Sequence, residues 1–257
     1  MQKLSSSTNY KIKEILKLKE KHVRLERQQF LVEGQHLVLE ALKKGIVLTI
    51  LGTELALQHN VVQKHLHTVD EVYEISANVA QKLSDVVTSQ HIFAVCSMKE
   101  QKIDYEHNIL LLDQLQDPGN LGTLIRSAAS FDFKTIIGSA NAVSFYNDKV
   151  LRATQGNFFQ VNLINEYLIK TINDLKQAGY VILGTNLHQN SKKLEKVRFN
   201  DKDKYALIIG NEAKGISFEL LDMIDININV EMDDQVESLN AAIAGSIIMH
   251  KIYVDNA

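Results

Sequence analysis

Four runs of apolar residues, each ending in a polar or glycine-containing loop, constrain the fold of this chain more than any other feature. They are NILLLD at 108–113, KTIIG at 134–138, YVILGT at 180–185 and YALIIGNE at 205–212. A strand with one face in water alternates apolar and polar residues, whereas a strand covered on both faces is apolar throughout. Helical patterns at 120–131 and 166–178 alternate with these runs, so the spacing predicts a doubly wound parallel sheet in an α/β domain. Ligands of such sheets bind at the carboxyl ends of the strands, which directs attention to the loops that follow the runs.

The residues before 108 form a second, smaller α/β pattern. FLVEG at 30–34 reads as a strand, and GQHLVLEALKKG at 34–45 as a helix closed by Gly45. Further strands are expected at IVLTIL (46–51), VVQKHL (61–66) and IFAVCS (92–97), with a capped helix at SANVAQKLSD. The polar stretch MKEQKIDYEHN interrupts the periodicity. The 257 residues therefore divide into a first domain at 1–98, a linker at 99–107 and a second domain at 108–257. With 45% hydrophobic and 23% charged residues and a single proline, the chain has a core to bury and is neither disordered nor collagen-like.

No apolar run approaches the roughly 18–20 residues that span a bilayer, and the N-terminus lacks the apolar core of a signal peptide. The expectation is a cytoplasmic protein with no membrane partner. The lone cysteine, Cys96, cannot form an intrachain disulfide and reads as core filler in a reducing compartment. Net charge is −3, but the first 30 residues hold eight basic and three acidic side chains, a local +5 that leaves −8 elsewhere. Behind a Ser5–Thr8 cluster suited to capping, Ile12, Ile15 and Leu16 follow helical spacing. This basic arm suits phosphate contacts, or is simply the solvated face of a helix.

Three loops stand out. In QLQDPGNLGTLIRSAASF, Asp117-Pro118-Gly119 makes a turn, Asn120 is placed to cap the next helix, and Arg126 lies one to two turns along it. A helix N-terminus beside an arginine can hold a phosphate or nucleotide oxygen; the plainer reading is a capped helix with an arginine–carboxylate pair. Gly210 to Gly215 (GNEAKG) brackets Asn-Glu with glycines, which suits backbone approaching a ligand or an ordinary turn. Ser238-Leu239-Asn240 opens a last helix read over 237–255, with Ser238 as cap. Its small residues Ala241, Ala242, Ala244, Gly245 and Ser246 would let another element, or a second subunit, approach closely.

The motifs of other common sites are absent: no G-x-G-x-x-G follows a strand, and there is no P-loop or G-x-S-x-G. His65 and His67 could share one strand face, but no cysteine or spaced carboxylate completes a metal set, so no metal is expected.

Taken in order, DPGNLGTLIRSAASF, IIGNEAKGIS and VESLNAAIAGSI resemble the three successive motifs of the SpoU (TrmH-like) family of RNA ribose 2′-O-methyltransferases. RATQGNFFQVNL at 152–163 is similar to a small-residue, double-Phe segment of that family. FLVEGQHLVLEALKKG and KLSDVVTSQHIFAV resemble its ribosomal-protein-like substrate-binding domain. The resemblance implies a small N-terminal α/β RNA-binding domain and a C-terminal methyltransferase domain with a deep trefoil knot. It also implies S-adenosylmethionine as cofactor, a homodimer formed through the knot region, and RNA as partner, ribosomal in preference to transfer RNA.

By position, the resemblance makes Gly184, Thr185, Gly210, Val230 and Leu239 the cofactor binders, largely through backbone groups. Arg126 would act on the ribose hydroxyl or its adjacent phosphate. Because a guanidinium stays protonated, orientation and electrostatic support are expected of it before base catalysis. Asn120, Glu212, Ser238 and Asn240 would order Arg126, the methionine end of the cofactor and the ribose. The sequence departs from the family at Val230-Glu231-Met232-Asp233-Asp234-Gln235, where the usual proline and glycine are missing, and at Ala241 and Lys251, which replace a valine and a glutamate. That altered loop motivates an alternative, a catalytically silent RNA-binding or ribosome-assembly protein of the same fold.

Overall fold

The structure, a computed structural model, describes residues 1–185, 191–233 and 235–256. Packing divides the chain into two units: Met1–Glu100 with Tyr146–Phe159, and Gln101–Phe145 with Gln160–Ala257.

The first unit runs β1 (Gln2–Leu4), α1 (Tyr10–Leu16), α2 (Lys21–Arg27), β2 (Gln29–Glu33), α3 (Gln35–Lys43), β3 (Val47–Gly52), α4 (Glu54–Leu57), α5 (Asn60–Gln63), β4 (Glu71–Ile75), α6 (Ala77–Leu83) and β5 (Ile92–Ser97). Its sheet has the order β1-β4-β3-β5-β2; β1, β4 and β3 are parallel, and β5 runs antiparallel to both its neighbours. Ile12, Ile15, Val79 and Leu83 from the helices close over Leu51, Phe93 and Val95 of the sheet. Cys96 is fully buried, and that burial pushes its thiol pKa up, so it is an inert core residue.

Several expectations for this unit change. VVQKHL is not a strand: Asn60–Gln63 is a helical turn, Leu66–Thr68 a 3₁₀ turn, and the strand comes later as EVYEI. Only Val62 of the run is fully buried, whereas Val72 and Tyr73 supply the β-favouring residues that pair with β3. His65 and His67 therefore share no strand face. Asn9, not the Ser5–Thr8 cluster, caps α1, accepting from the Lys11 amide at 2.8 Å. The basic arm is largely neutralised within its own unit. Lys3 pairs with Glu74, Lys11 with Glu71, Lys19 with Asp85, and Lys17 and Arg27 with Glu14. Arg24 is buried, donating to the Leu18 and Lys19 carbonyls at 3.0 and 2.7 Å.

The second unit runs β6 (Asn108–Leu112), α7 (Pro118–Ser130), β7 (Phe133–Gly138), β8 (Asn162–Asn165), α9 (Leu168–Gln177), β9 (Tyr180–Thr185), β10 (Lys192–Lys193), β11 (Lys204–Ile209), α10 (Phe218–Leu221), β12 (Ile226–Asn229) and α11 (Ala241–Asp255), and the helix α8 (Asp148–Ala153) between β7 and β8 packs with the first unit. There Tyr146 and Phe158 close on Phe30 with ring centroids 4.8 and 5.7 Å away, which is why 146–159 leaves the domain its place in the sequence suggests.

Among the described residues the second sheet has seven strands, all parallel, in the order β10-β12-β9-β11-β6-β7-β8. The four apolar runs are its centre. Ile109, Leu111, Ile182 and Ile208 face α9 and α10, whose Ile172, Leu175 and Leu220 cover them. Side chains of the intervening residues point the other way. On that face α11 docks against α7 and β11. A Cβ on Gly245 would come within 2.8 Å of Leu124 and 3.1 Å of Ile209, and the Ser127 and Ser246 hydroxyls meet at 2.7 Å. The small residues of the last helix thus serve a close approach inside the same chain.

Candidate active site

The expected loops gather at the carboxyl ends of β6, β9, β11 and β12. Asp117, rather than Asn120, caps α7: its Oδ1 accepts from the Asn120 amide at 2.7 Å, and Pro118 fills the first turn, where no amide partner is needed. Asn120 is thereby left, nearly buried, with a free carboxamide. Its Nδ2 donates to Glu212 Oε1 at 3.0 Å, and its Oδ1 accepts from Asn240 Nδ2 at 2.8 Å. Asn240, not Ser238, caps α11, with its Oδ1 accepting from the Ala242 and Ile243 amides at 2.9 and 3.2 Å. The last helix consequently starts at Ala241.

Glu212 also accepts from the Asp117 and Gln116 amides at 3.0 and 3.2 Å. One carboxylate therefore ties the loop after β11 to the loop after β6, and Asn120 passes the connection to the start of α11. Desolvation pushes the Glu212 carboxyl up, but the bonds from Asn120, Asp117 and Gln116 outweigh it and hold its pKa below the usual carboxylate value.

The loop that presents Glu212 is closed on itself. Asn211 and Gly215 exchange backbone hydrogen bonds at 2.9 and 2.8 Å, and Asn211 Oδ1 accepts from the Ala213 and Lys214 amides, both at 3.0 Å. Gly215 has φ +70, and a Cβ on Gly210 would lie 2.2 Å from the Gly215 backbone, so both glycines are needed for the closure.

Beside this loop lies a cavity of about 370 Å³ lined by Thr185, Gly210, Asn229, Val230, Ser238 and Leu239 among others. Its size falls within the roughly 300–1,000 Å³ of small-molecule sites. Four of the five expected cofactor residues, Thr185, Gly210, Val230 and Leu239, line it. Gly184 does not; a Cβ there would meet Ile224 at 2.3 Å, so its role is to let that side chain pack beneath the wall. Asp234 of the altered loop lies outside the described residues. Arg126 is on the exposed face of α7, and its guanidinium makes no hydrogen bond or ion pair among the described residues. Ser238 is also exposed and lines the cavity.

A nucleoside cofactor fits the lining chemically. Apolar Ile228, Val230 and Leu239 line the cavity beside the polar Thr185, Asn211, Asn229 and Ser238. Sequence reasoning missed Asn229, which sits in a strand with no motif character, and Asp117, whose Asp-Pro pair at a helix start was a readable capping signal.

Comparison with known proteins decides the family. Residues 107–250 match the family described as SpoU rRNA Methylase, and 9–94 match the MRM3-like substrate binding domain. RlmP of Bacillus subtilis, named 23S rRNA (guanosine(2553)-2′-O)-methyltransferase, is 35% identical over 98% of this chain and 99% of its own length. The chain belongs to the SpoU rRNA methylase family. Among solved structures, the SpoU fold here is similar to an AdoMet-bound rRNA methyltransferase from Sinorhizobium meliloti, with TM-score 0.88, 25% identity and coverage of 98% and 97% of the two chains. A TrmH-family RNA methyltransferase structure from Porphyromonas gingivalis matches with TM-score 0.84 and 26% identity over 96% of this chain and 98% of that one.

Proposed function

We propose that this SpoU-family chain is an S-adenosylmethionine-dependent methyltransferase that modifies a ribose 2′-hydroxyl in ribosomal RNA. The observation that carries the reading is the Glu212–Asn120–Asn240 bridge, which binds the three family motifs together at the edge of a cofactor-sized cavity. The cofactor supplies an electrophilic methyl group on a sulfonium sulfur. The residues of this chain must hold that end of the cavity rigid and bring a hydroxyl to it in line.

Thr185, Gly210, Val230 and Leu239 form the cofactor walls, with Gly184 as support behind them. Arg126, solvent-facing and without a side-chain partner among the described residues, orients the ribose hydroxyl or its neighbouring phosphate and stabilises negative charge as the hydroxyl proton passes to water. Asn120, Glu212 and Asn240 fix the loops, and Ser238 is positioned at the cavity for a polar contact. The silent alternative is not favoured, because Asn120, Glu212 and Asn240, one from each motif, are present and bonded in a chain.

Residues 1–98 form the RNA-binding domain in this reading, with 99–107 as linker and 108–257 as the methyltransferase domain; the two family matches support that division. A homodimer through the C-terminal domain belongs to the same reading. Its support is the apolar stripe of α11, where Ile243, Ile247 and Val254, at helical spacing, are 47%, 39% and 52% exposed. The trefoil knot and a cytoplasmic setting complete it, supported by the SpoU family match and the rRNA-modifying relative.

Calorimetric titration with S-adenosylmethionine and S-adenosylhomocysteine tests the reading without knowledge of the target nucleotide. Micromolar binding of both is expected. Absence of binding to the folded protein, with and without ribosomal RNA, would overturn it.

A further inference from the structure

The carboxyl ends of the second sheet carry cavities on both sides of the step from β11 to β6, where the strand order changes direction. The cofactor-sized one lies at the ends of β9, β11 and β12. The other, of about 460 Å³, lies at the ends of β6, β7 and β8, lined by Asp113, Gln114, Asn141, Asn165, Glu166 and Tyr167 among others. Open parallel sheets take their ligands at such a reversal. The two cavities share a partition. Ile216 lines the first and Ser217 the second, and Asn211 of the first donates to the Gln114 carbonyl of the second at 2.9 Å.

The second cavity does not suit a phosphate. Its described lining has no lysine or arginine and three carboxylates, Asp113, Glu166 and Glu219. Nor does it suit a metal, because no three acids, histidines or cysteines converge among the described residues. Asp113 is the fixed point of the wall. Only 4% exposed, it accepts from the Ser217 amide at 2.7 Å through Oδ2, while Oδ1 has no partner among the described residues and keeps accessible surface. The carboxamides of Gln114, Asn141 and Asn165 are also unengaged there. Leu168 and Leu220 add buried apolar surface, and the rings of Tyr167 and Phe218, in the two segments that supply those leucines, stand 66% and 79% exposed.

Unused acceptors, unused amides and bare aromatic rings around one cavity match a flat heterocycle with a polar edge. A nucleobase taken out of its stack is held in this way, by contact with its faces and hydrogen bonds along its edge. Among the four RNA bases, only guanine presents two neighbouring donors, N1–H and the 2-amino group, with a carbonyl beside them. A carboxylate accepts from such a pair, and a carboxamide can donate to the carbonyl.

Resting on the RNA methylation proposed above, we infer that this cavity receives the base of the nucleotide whose ribose is methylated and reads it as guanine. Asp113 Oδ1 accepts from the donor edge, and Tyr167 stacks on the ring. The ribose then lies toward the partition and the cofactor behind it.

The test uses the full chain, ribosomal RNA and S-adenosylmethionine labelled in its methyl group. After complete digestion to nucleosides, the ribose label should sit on guanosine. Tyr167→Ala should raise KM for the RNA about tenfold and Tyr167→Phe should restore it, with S-adenosylhomocysteine affinity at the wild-type value in both. Asp113→Asn keeps an oxygen for the Ser217 amide but turns an NH2 toward the base, so kcat/KM for the RNA should fall about tenfold with cofactor affinity unchanged. If that variant does not fold, the Tyr167 pair and the labelled base still decide. Ribose label on another nucleoside would overturn the reading of guanine. RNA kinetics equal to wild type in folded Tyr167→Ala would overturn the cavity as the base site, and is the result expected if it docks a basic protein segment instead. Loss of S-adenosylhomocysteine affinity in that variant would overturn it too, by making Tyr167 a support of the cofactor cavity. Absence of ribose label with the wild-type protein would be a failure of the proposed function itself.

Discussion

Glu212 joins two loops at the scale of a single residue: from the loop after β11 its one carboxylate accepts from the Gln116 and Asp117 amides and from the Asn120 side chain, all in the segment after β6. Its carboxyl titrates below the usual 4.5 in the folded chain, so its contribution to stability is complete above that pH and is lost as pH falls through the lowered folded value. Glutamine at 212 would replace one carboxylate oxygen by an NH2, which would face either the Gln116 amide at Oε2 or the Asp117 and Asn120 donors at Oε1. The melting-temperature gap between wild type and Glu212→Gln should therefore be present at neutral pH and narrow on acidification below 4.5; a constant gap would exclude this linkage. Arg126 is the opposite case, a side chain bonded to nothing among the described residues. Arg126→Ala should keep S-adenosylhomocysteine affinity while losing at least about tenfold in rate, roughly 1.4 kcal/mol of barrier. Wild-type turnover in that variant would remove Arg126 from the mechanism. Both residues were legible in the sequence, because an arginine after a capped start and a carboxylate between glycines are local patterns. Asn229 was not, since only the fold brings the end of β12 to the cavity wall.

At the scale of elements, the parallel sheet could be read from the chain because a strand covered on both faces has to be apolar throughout, as Leu110, Leu111 and Leu207 are, all fully buried. Edge and turn elements were harder. VVQKHL has strand-like composition, yet only Val62 faces the core, and the short β1 and β10 carry no hydrophobic pattern at all. The helix caps were misplaced by two or three residues because Asp117, Asn120, Ser238 and Asn240 are all good capping residues, and local propensity does not choose among them. The contact of α11 with α7 depends on Gly245. Gly245→Val should destabilise the second unit by about 1–3 kcal/mol, as overpacking against Leu124 and Ile209 does in well-filled cores. A denaturant midpoint equal to wild type would mean that this interface is looser than the distances indicate.

For the whole molecule, the unit with the family motifs carries the cavity, while the first unit has most of its N-terminal basic residues paired with its own acids. The cluster of positive charge evident in the sequence is therefore weakened in the fold, and RNA affinity should depend on surfaces beyond that arm. The exposed stripe of α11 belongs to this scale as well. Ile247→Glu should convert a dimer to a monomer in light scattering; a wild-type mass that is already monomeric, or a variant that stays dimeric, would count against a dimer built on α11. The central claim is the chemistry on ribose, and it has a direct signature. A 2′-O-methyl group removes the hydroxyl that alkali uses to cleave the next phosphodiester. Ribosomal RNA incubated with the protein and S-adenosylmethionine labelled in its methyl group should, after complete alkaline hydrolysis, carry the label in alkali-resistant dinucleotides. Label recovered on single nucleotides, which places the methyl on a base, or no label in RNA from a protein that binds the cofactor, would contradict the account.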